Sequence, residues 1–254
     1  MKKFRGIFLK NEQEIRILRE ANRMVCTILD ALGQAVRPGM ETMALEDIAV
    51  AMCKEFDVQP AFKGYHGFPY ALCCSVNEEV VHGFPSSRVL KEGDIVSLDM
   101  GVIHEGFYGD SARTFPVGAI SASATRLLQV TEESLMRGID MVHPGNQLYD
   151  VSAAIHEHVR QAGFDVVRRF VGHGIGCRLH EKPEIPNFVP KGMPGVPLKV
   201  GMVLAIEPMV TMGSSEVEIL DDNWTAVTKD RSLAAHFEHS VAVTEDGPCI
   251  LSVR

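Results

Sequence analysis

The chain has 254 residues, 46% of them hydrophobic, with 25 lysines and arginines against 33 aspartates and glutamates and a formal net charge of −8. That size and apolar content suffice for a single compact catalytic-size domain built from two closely packed halves. The acidic balance offers no basic field to a phosphate backbone, which argues against nucleic acid as a stable ligand.

After Met1-Lys2-Lys3 the only early apolar run is Gly6–Leu9, too short for a signal-peptide core or a membrane span, so a cytoplasmic protein with no membrane partner is expected. Asn11 is placed to cap a helix and Glu14 completes a capping-box pattern. Ile15, Leu18, Met24, Val25, Ile28 and Leu32 follow at helical spacing, with Gly33 as candidate stop. A second helix is predicted from about Glu41 to Phe56, with Leu45, Ile48, Ala49 and Met52 inward. Strands are predicted at Ala71–Val76, Ile95–Gly101 and Gly106–Val117. The second half repeats this order, with helices over roughly Ser121–Met141 and Leu148–Ala162 and strands at Val166–Val171, Met202–Val210, Glu216–Leu220 and Phe237–Thr244. Each half separates its two helices with a Pro-Gly turn, Pro38-Gly39 and Pro144-Gly145. The pattern is α+β, with helices covering a strongly bent antiparallel sheet. The six cysteines form no C-x-x-C pair and read as reduced, mostly buried thiols.

The order repeats because the sequence does. Leu90–Gly101 (LKEGDIVSLDMG) is echoed by Leu198–Met209 (LKVGMVLAIEPM), and the stretch from Ala35 (AVRPGMETMALEDIA) by that from Met141 (MVHPGNQLYDVSAAI). GYHG around His66 is matched with VGHG around His173. Pro38 and Pro144 lie 106 residues apart, His66 and His173 107, and Asp99 and Glu207 108. Such spacing argues for two related halves, roughly 12–118 and 121–254, with a site at their seam.

That seam is acidic. Asp99 ends the apolar run Ile95, Val96, Leu98, and Asp110 lies in the next strand after a short polar turn, so a hairpin lets the two carboxylates face one another. Glu207 ends the equivalent run Met202–Ile206, and Glu238 opens the last strand. His173 is flanked by Gly172 and Gly174, read as allowing close backbone approach to a ligand. Carboxylates about 4 Å apart repel by on the order of 4 kcal/mol per pair at an effective dielectric near 20. Two divalent cations nearly neutralise four carboxylates and a bridging hydroxide. Oxygen donors with one imidazole favour Mn²⁺, Fe²⁺ or Co²⁺ over a thiolate-rich zinc site.

The segments Leu98–Thr114, Val171–Asn187, Leu204–Val210 and Asp230–Gly247 together resemble the type I methionine aminopeptidases over essentially the whole chain. Glu238 follows Glu207 by only 31 residues, which leaves no room for the helical insertion of type II enzymes, and the short bacterial form is expected. The resemblance implies a pita-bread fold whose pseudo-twofold symmetry suits the internal repeat. It also implies two divalent metal ions held by Asp99, Asp110, His173, Glu207 and Glu238, with cobalt, manganese or iron foremost and zinc or nickel as further candidates. The implied activity is removal of the N-terminal (initiator) methionine from nascent proteins, with a small second residue preferred. A metal-bridging water would attack the first peptide bond, Glu207 carrying its proton to the leaving amine. His180 would stabilise the tetrahedral intermediate and His82 would contact the scissile or following peptide nitrogen. The methionine pocket would comprise Tyr65, Phe68, Cys73, Leu179 and Trp224, with Phe62 at the rim; Phe62 and Leu179 depart from the residues usual in relatives, as does His236 behind the ligands. His66 and His236 are candidates to support the ligands from behind, His239 is expected to point away from the site, and His156 and His158 read as surface residues.

A monomer is expected, with transient ribosome contact on nascent chains. Two other readings compete: a proline-specific peptidase sharing the metal centre, and a binding protein that keeps the fold without the chemistry. The presence of all five ligand positions argues against the second.

Overall fold

The computed structural model describes residues 2–192 and 195–253. It opens with a small antiparallel pairing of Lys2–Phe4 with Ile7–Leu9 that the sequence reading did not anticipate. Helix α1 (Glu12–Ala35) starts as its local chemistry dictates: Asn11 Oδ1 accepts the Glu14 N–H at 3.0 Å, and the Glu14 carboxylate accepts the Asn11 N–H at 2.8 Å. It runs past Gly33, however. That glycine marks where the Phe115 ring lies against the helix, in space a Cβ would occupy. Helices α2 (Thr42–Glu55), α3 (Ala122–Ile139) and α4 (Leu148–Gln161) fall within two residues of their predicted ends. None of the helices among the described residues is long and apolar enough to cross a membrane.

In the first half, Ile95–His104 pairs on one side with Leu72–Val76 and on the other with Phe107–Pro116, all antiparallel. The latter hairpin turns at Glu105 and Gly106, both at positive φ (47° and 79°), as a tight two-residue turn requires. Alternation then sorts the side chains. Leu72, Cys74, Val76, Val96, Leu98, Met100 and Val102 pack under α1 and α2 beside Val25, Ile28, Leu29, Leu32, Leu45 and Ala49. Cys73, Ser75, Ser97, Asp99 and Gly101 therefore face the other way, toward the second half. There Leu204, Ile206, Val241 and Val243 pack under Leu127, Val130, Leu135 and Ile139 of α3 and Leu148, Val151, Ile155 and Val159 of α4.

The two halves repeat one hydrogen-bond pattern. Gly39 N–H donates to Leu90 O (2.8 Å) and Leu90 N–H to Met40 O (2.8 Å); Gly145 N–H donates to Leu198 O (3.3 Å) and Leu198 N–H to Asn146 O (2.8 Å). Likewise Gly93 N–H reaches Val117 O (3.0 Å) as Gly201 N–H reaches Val243 O (2.9 Å). The histidine echo does not follow this pattern. Ala205, the counterpart of Ser97 at the 108-residue offset, pairs with His173, whereas Ser97 pairs with Ser75. His173 thus corresponds to Ser75, and His66 sits in an exposed left-handed turn at φ 49°.

The strands do not form one continuous ladder; they divide into groups of five, four, three, three and two. The expected strand Met202–Val210 is split into Val203–Ile206, paired with His239–Thr244, and Met209–Thr211, paired with Ala234–His236. Pro208, which has no N–H to donate, stands at the break. Phe237 and Glu238 occupy the corresponding break on the partner chain segment, and the predicted Val166–Val171 strand shortens to Asp165–Val166. Small hydroxyl residues bridge the seam. Thr114 Oγ1 donates to His236 O (2.8 Å), Ser111 Oγ to Glu238 O (2.7 Å) and Ser240 Oγ to Asp110 O (3.0 Å), while Glu238 N–H donates to Ala112 O (2.9 Å). These bonds fix the chain on either side of Asp110 against that of Glu238.

His156 and His158 are half-buried rather than free surface residues. His158 Nε2 lies 3.1 Å from Glu133 Oε2 and ties α4 to α3, while His156 Nε2 is 3.9 Å from Asp165 Oδ1. As expected they face different neighbours.

Candidate active site

Strand register brings the acids together. Asp99 pairs with Ala112 and Asp110 with Gly101, so the two carboxylates are diagonal neighbours on one face rather than directly opposite. Asp110 is anchored through its N–H, which donates to Asn22 Oδ1 at 3.2 Å from α1. Glu207 is fixed by Asn187, whose Nδ2 donates to the Glu207 carbonyl at 3.0 Å, an anchor not anticipated from sequence. His173 lies between the two halves, with Nε2 3.8 Å from Asp110 Oδ2 and 3.5 Å from Glu207 Oε1. Its flanking glycines serve a purpose other than the one expected. A Cβ on Gly172 would strike the Ala205 carbonyl and one on Gly174 the Lys182 carbonyl, so they admit neighbouring strands rather than a ligand.

The electrostatics call for a cation. Donor atoms of Asp110, His173 and Glu238 all lie within 4.8 Å of one another. Asp99 Oδ1, Asp110 Oδ1 and Glu238 Oε1 are buried with no hydrogen-bond partner. Burial, reinforced by the neighbouring carboxylates, holds Asp110 and Glu238 well above the usual carboxylate range; burial alone does so for Glu207. Burial lifts Asp99 to about 7, moderated by His236 and increased by Glu207. Burial and the adjacent His180 push His173 down to about 3. The imidazole is therefore neutral, and its Nδ1, 3.1 Å from Gly174 O, is the protonated nitrogen. Its Nε2 lone pair then faces carboxylate oxygens, an arrangement of acceptors that a bound cation resolves. Four carboxylates and one imidazole, with no thiolate, fit a hard divalent ion.

The same cavity, about 200 Å³, is lined by every residue assigned to the site from sequence: the four acids and His173, His82 and His180, and Phe62, Tyr65, Phe68, Cys73, Leu179 and Trp224. Trp224 packs edge-on to Phe68 (centroids 5.1 Å) and near His82 (6.2 Å). Phe62 is buried in the wall rather than at the rim, because its ring fills the space above Gly101. His66 lies at the exposed mouth against Tyr65, not behind the acids. His236 is behind them, fully buried with Nε2 3.6 Å from Glu207 Oε2. His239 points away, its Nδ1 2.7 Å from Ser252 Oγ.

Two contacts define the auxiliary histidines. Tyr65 Oη lies 2.7 Å from His180 Nδ1, and the His180 ring stands edge-on to His173 at 4.4 Å. Nothing in the sequence signals the tyrosine–histidine bond, since 115 residues separate its partners. His82, at φ 60°, is packed against Phe170, and burial, then His236 and His180, lowers it to about 4. An unfolded histidine titrates near 6.5. Between those values the unfolded chain binds a proton that the folded chain refuses, so this contribution to stability rises with pH and is lost as pH falls from about 6.5 to 4. His82→Gln is expected to recover on the order of 2 kcal/mol of that acid-side loss, measured by urea unfolding of metal-free protein at pH 7 and pH 5. An unchanged difference between the two pH values would contradict the burial of this imidazole.

Comparison with known proteins places these features. The chain matches the model of metallopeptidase family M24 over residues 16–245. It is 51% identical over 247 residues to a methionine aminopeptidase of Clostridium perfringens, covering 97% of this chain and 99% of that protein. It is 50% identical over 246 residues to methionine aminopeptidase 1 of Bacillus subtilis, with the same coverage. The solved methionine aminopeptidase of Thermotoga maritima superposes with a TM-score of 0.95 at 46% identity, covering 98% of this chain and all of that one. The prolidase of Pyrococcus furiosus shares the fold, with a TM-score of 0.79 at 21% identity over 97% of this chain and 65% of that one.

Proposed function

Because this chain belongs to metallopeptidase family M24, and to the methionine aminopeptidases within it, we propose that the acidic seam is its catalytic centre and that Asp99, Asp110, His173, Glu207 and Glu238 hold its metal. The activity is metal-dependent hydrolytic removal of an N-terminal methionine, in the family's pita-bread fold. The observation that carries the site assignment is the set of buried, partnerless carboxylate oxygens beside a neutral imidazole at one end of an apolar cavity. Two divalent ions, of manganese, iron or cobalt, suit the donor set. When bound, such metal makes coordinated water acidic and polarises the scissile carbonyl.

The chain's own residues supply the rest. The apolar wall of Phe62, Phe68, Cys73, Leu179 and Trp224 takes the thioether side chain and excludes water from it. Glu207 would accept the proton of the attacking water and pass it to the leaving amine. Burial also raises the Tyr65 hydroxyl above its ordinary value, so it remains a phenol and donates to His180 Nδ1. His180 is kept neutral by desolvation and by His66, so its proton resides on Nε2. From there it donates to the carbonyl oxygen as negative charge develops. His82 is positioned to meet the peptide nitrogen. We further read the chain as one catalytic domain of two halves, roughly 12–118 and 121–254, acting as a cytoplasmic monomer in transient contact with the ribosome and preferring a small second residue.

The test is hydrolysis of Met-Ala-Ser beside Ala-Pro-Ala by the metal-loaded protein. Release of free methionine from the first peptide alone is expected. Cleavage of the proline peptide alone would transfer the site to the prolidase chemistry, and silence on both with metal bound would favour a binding role.

A further inference from the structure

A second cleft adjoins the catalytic cavity. It has a volume of about 300 Å³, and His180 lines both spaces. Its walls include Lys3, Phe8, Arg178, Glu181 and Lys182. The only carboxylate among them, Glu181, is already engaged: Lys10 Nζ lies 2.6 Å away and both side chains are 1–2% exposed. Among the described residues, Lys3, Arg178 and Lys182 have no carboxylate partner; Lys3 lies over the Phe8 ring at 4.3 Å. Three uncompensated cations thus gather beside the active site of a protein whose net charge is −8.

We propose that this cleft is a downstream subsite that takes the third to fifth residues of the peptide and favours acidic side chains there. The inference rests on the peptidase reading above. With the scissile bond at His180, an extended chain advances about 3.3 Å per residue. The second residue remains beside His180, and those after it pass into the adjoining cleft. Carboxylates arriving there meet the three cations without displacing an existing ion pair, and the side chains are exposed enough for salt to screen the attraction.

The experiment compares kcat/KM of the metal-loaded enzyme at low ionic strength for Met-Ala-Asp-Glu-Asp-NH2, Met-Ala-Lys-Lys-Lys-NH2 and the short Met-Ala-Ser-NH2. Native enzyme is expected to prefer the acidic over the basic pentapeptide by about tenfold, a size consistent with a few partly exposed ion pairs. The preference should act through KM and shrink in 0.5 M salt. In the triple variant Lys3→Ser, Arg178→Ser, Lys182→Ser it should fall toward unity, while the rate on Met-Ala-Ser-NH2 stays native and shows that the variant is folded. Equal rates on the two pentapeptides with native enzyme, or a preference that survives the triple variant, would overturn the subsite. Failure to release methionine even from Met-Ala-Ser-NH2 would instead remove the peptidase reading on which it rests.

Discussion

Asp110→Asn is expected to give a metal-free protein that melts higher than the native metal-free protein while releasing almost no methionine. In the native chain Asp110 Oδ1 is buried without a partner, and Asp99, Glu207 and Glu238 crowd the same space. Without a cation the folded chain must draw a proton onto this carboxyl, which the unfolded chain leaves ionised at neutral pH, and an amide, neutral in both states, is spared that cost and the repulsion that causes it. Each pKa unit of such elevation costs about 1.4 kcal/mol, which for a domain of this size is roughly 3–6 °C in Tm, so a rise of at least that size is expected. Activity should fall by more than about 100-fold, since even outer partners of metal sites cost 10–100-fold. Calorimetry of both proteins after chelation, with a parallel assay on Met-Ala-Ser, reads the two effects together. A variant that is less stable than native metal-free protein, or one that keeps its activity, would contradict the role given to the acidic seam.

His180→Ala should lower kcat by about 10²–10³, the usual cost of one oxyanion donor, and leave metal content unchanged. Tyr65→Phe should give a smaller loss of about tenfold, because the histidine remains but its tautomer is no longer selected by the phenol. The pair acts as a unit: adding Tyr65→Phe to His180→Ala should cost little more, which a double-mutant cycle on kcat measures. Full additivity would mean that Tyr65 acts on the substrate directly rather than through His180.

Those features legible in the sequence are the local ones. The Asn11–Glu14 capping box needs only three residues to be recognised, and the alternation of Val96, Leu98 and Met100 against Ser97 and Asp99 follows from the period of a strand. What escaped depends on distant partners. Gly33 looks like a helix stop until Phe115 is seen against it, and the glycines around His173 look like ligand-facing residues until the Ala205 and Lys182 carbonyls are placed beside them. The break at Glu207-Pro208 interrupts an apolar run that reads as one strand, and Phe237-Glu238, which read as the start of a strand, instead fill a gap between two; both set these acids at the edge where the halves meet. The match of Asp99 with Glu207 follows from the repeat and the nearness of Asp110 from the hairpin, whereas the Tyr65–His180 bond and the Asn187 anchor have no counterpart in any spacing rule.

The buried carboxylates require a cation, and stepwise addition of Mn²⁺ to chelator-stripped protein, with free methionine from Met-Ala-Ser followed at each step, measures that requirement. No release before metal is added is expected, then a rise that levels off by about two equivalents per chain. Undiminished release from protein in which no metal is detected would show that the carboxylates work without a cation and would overturn the metal-dependent assignment.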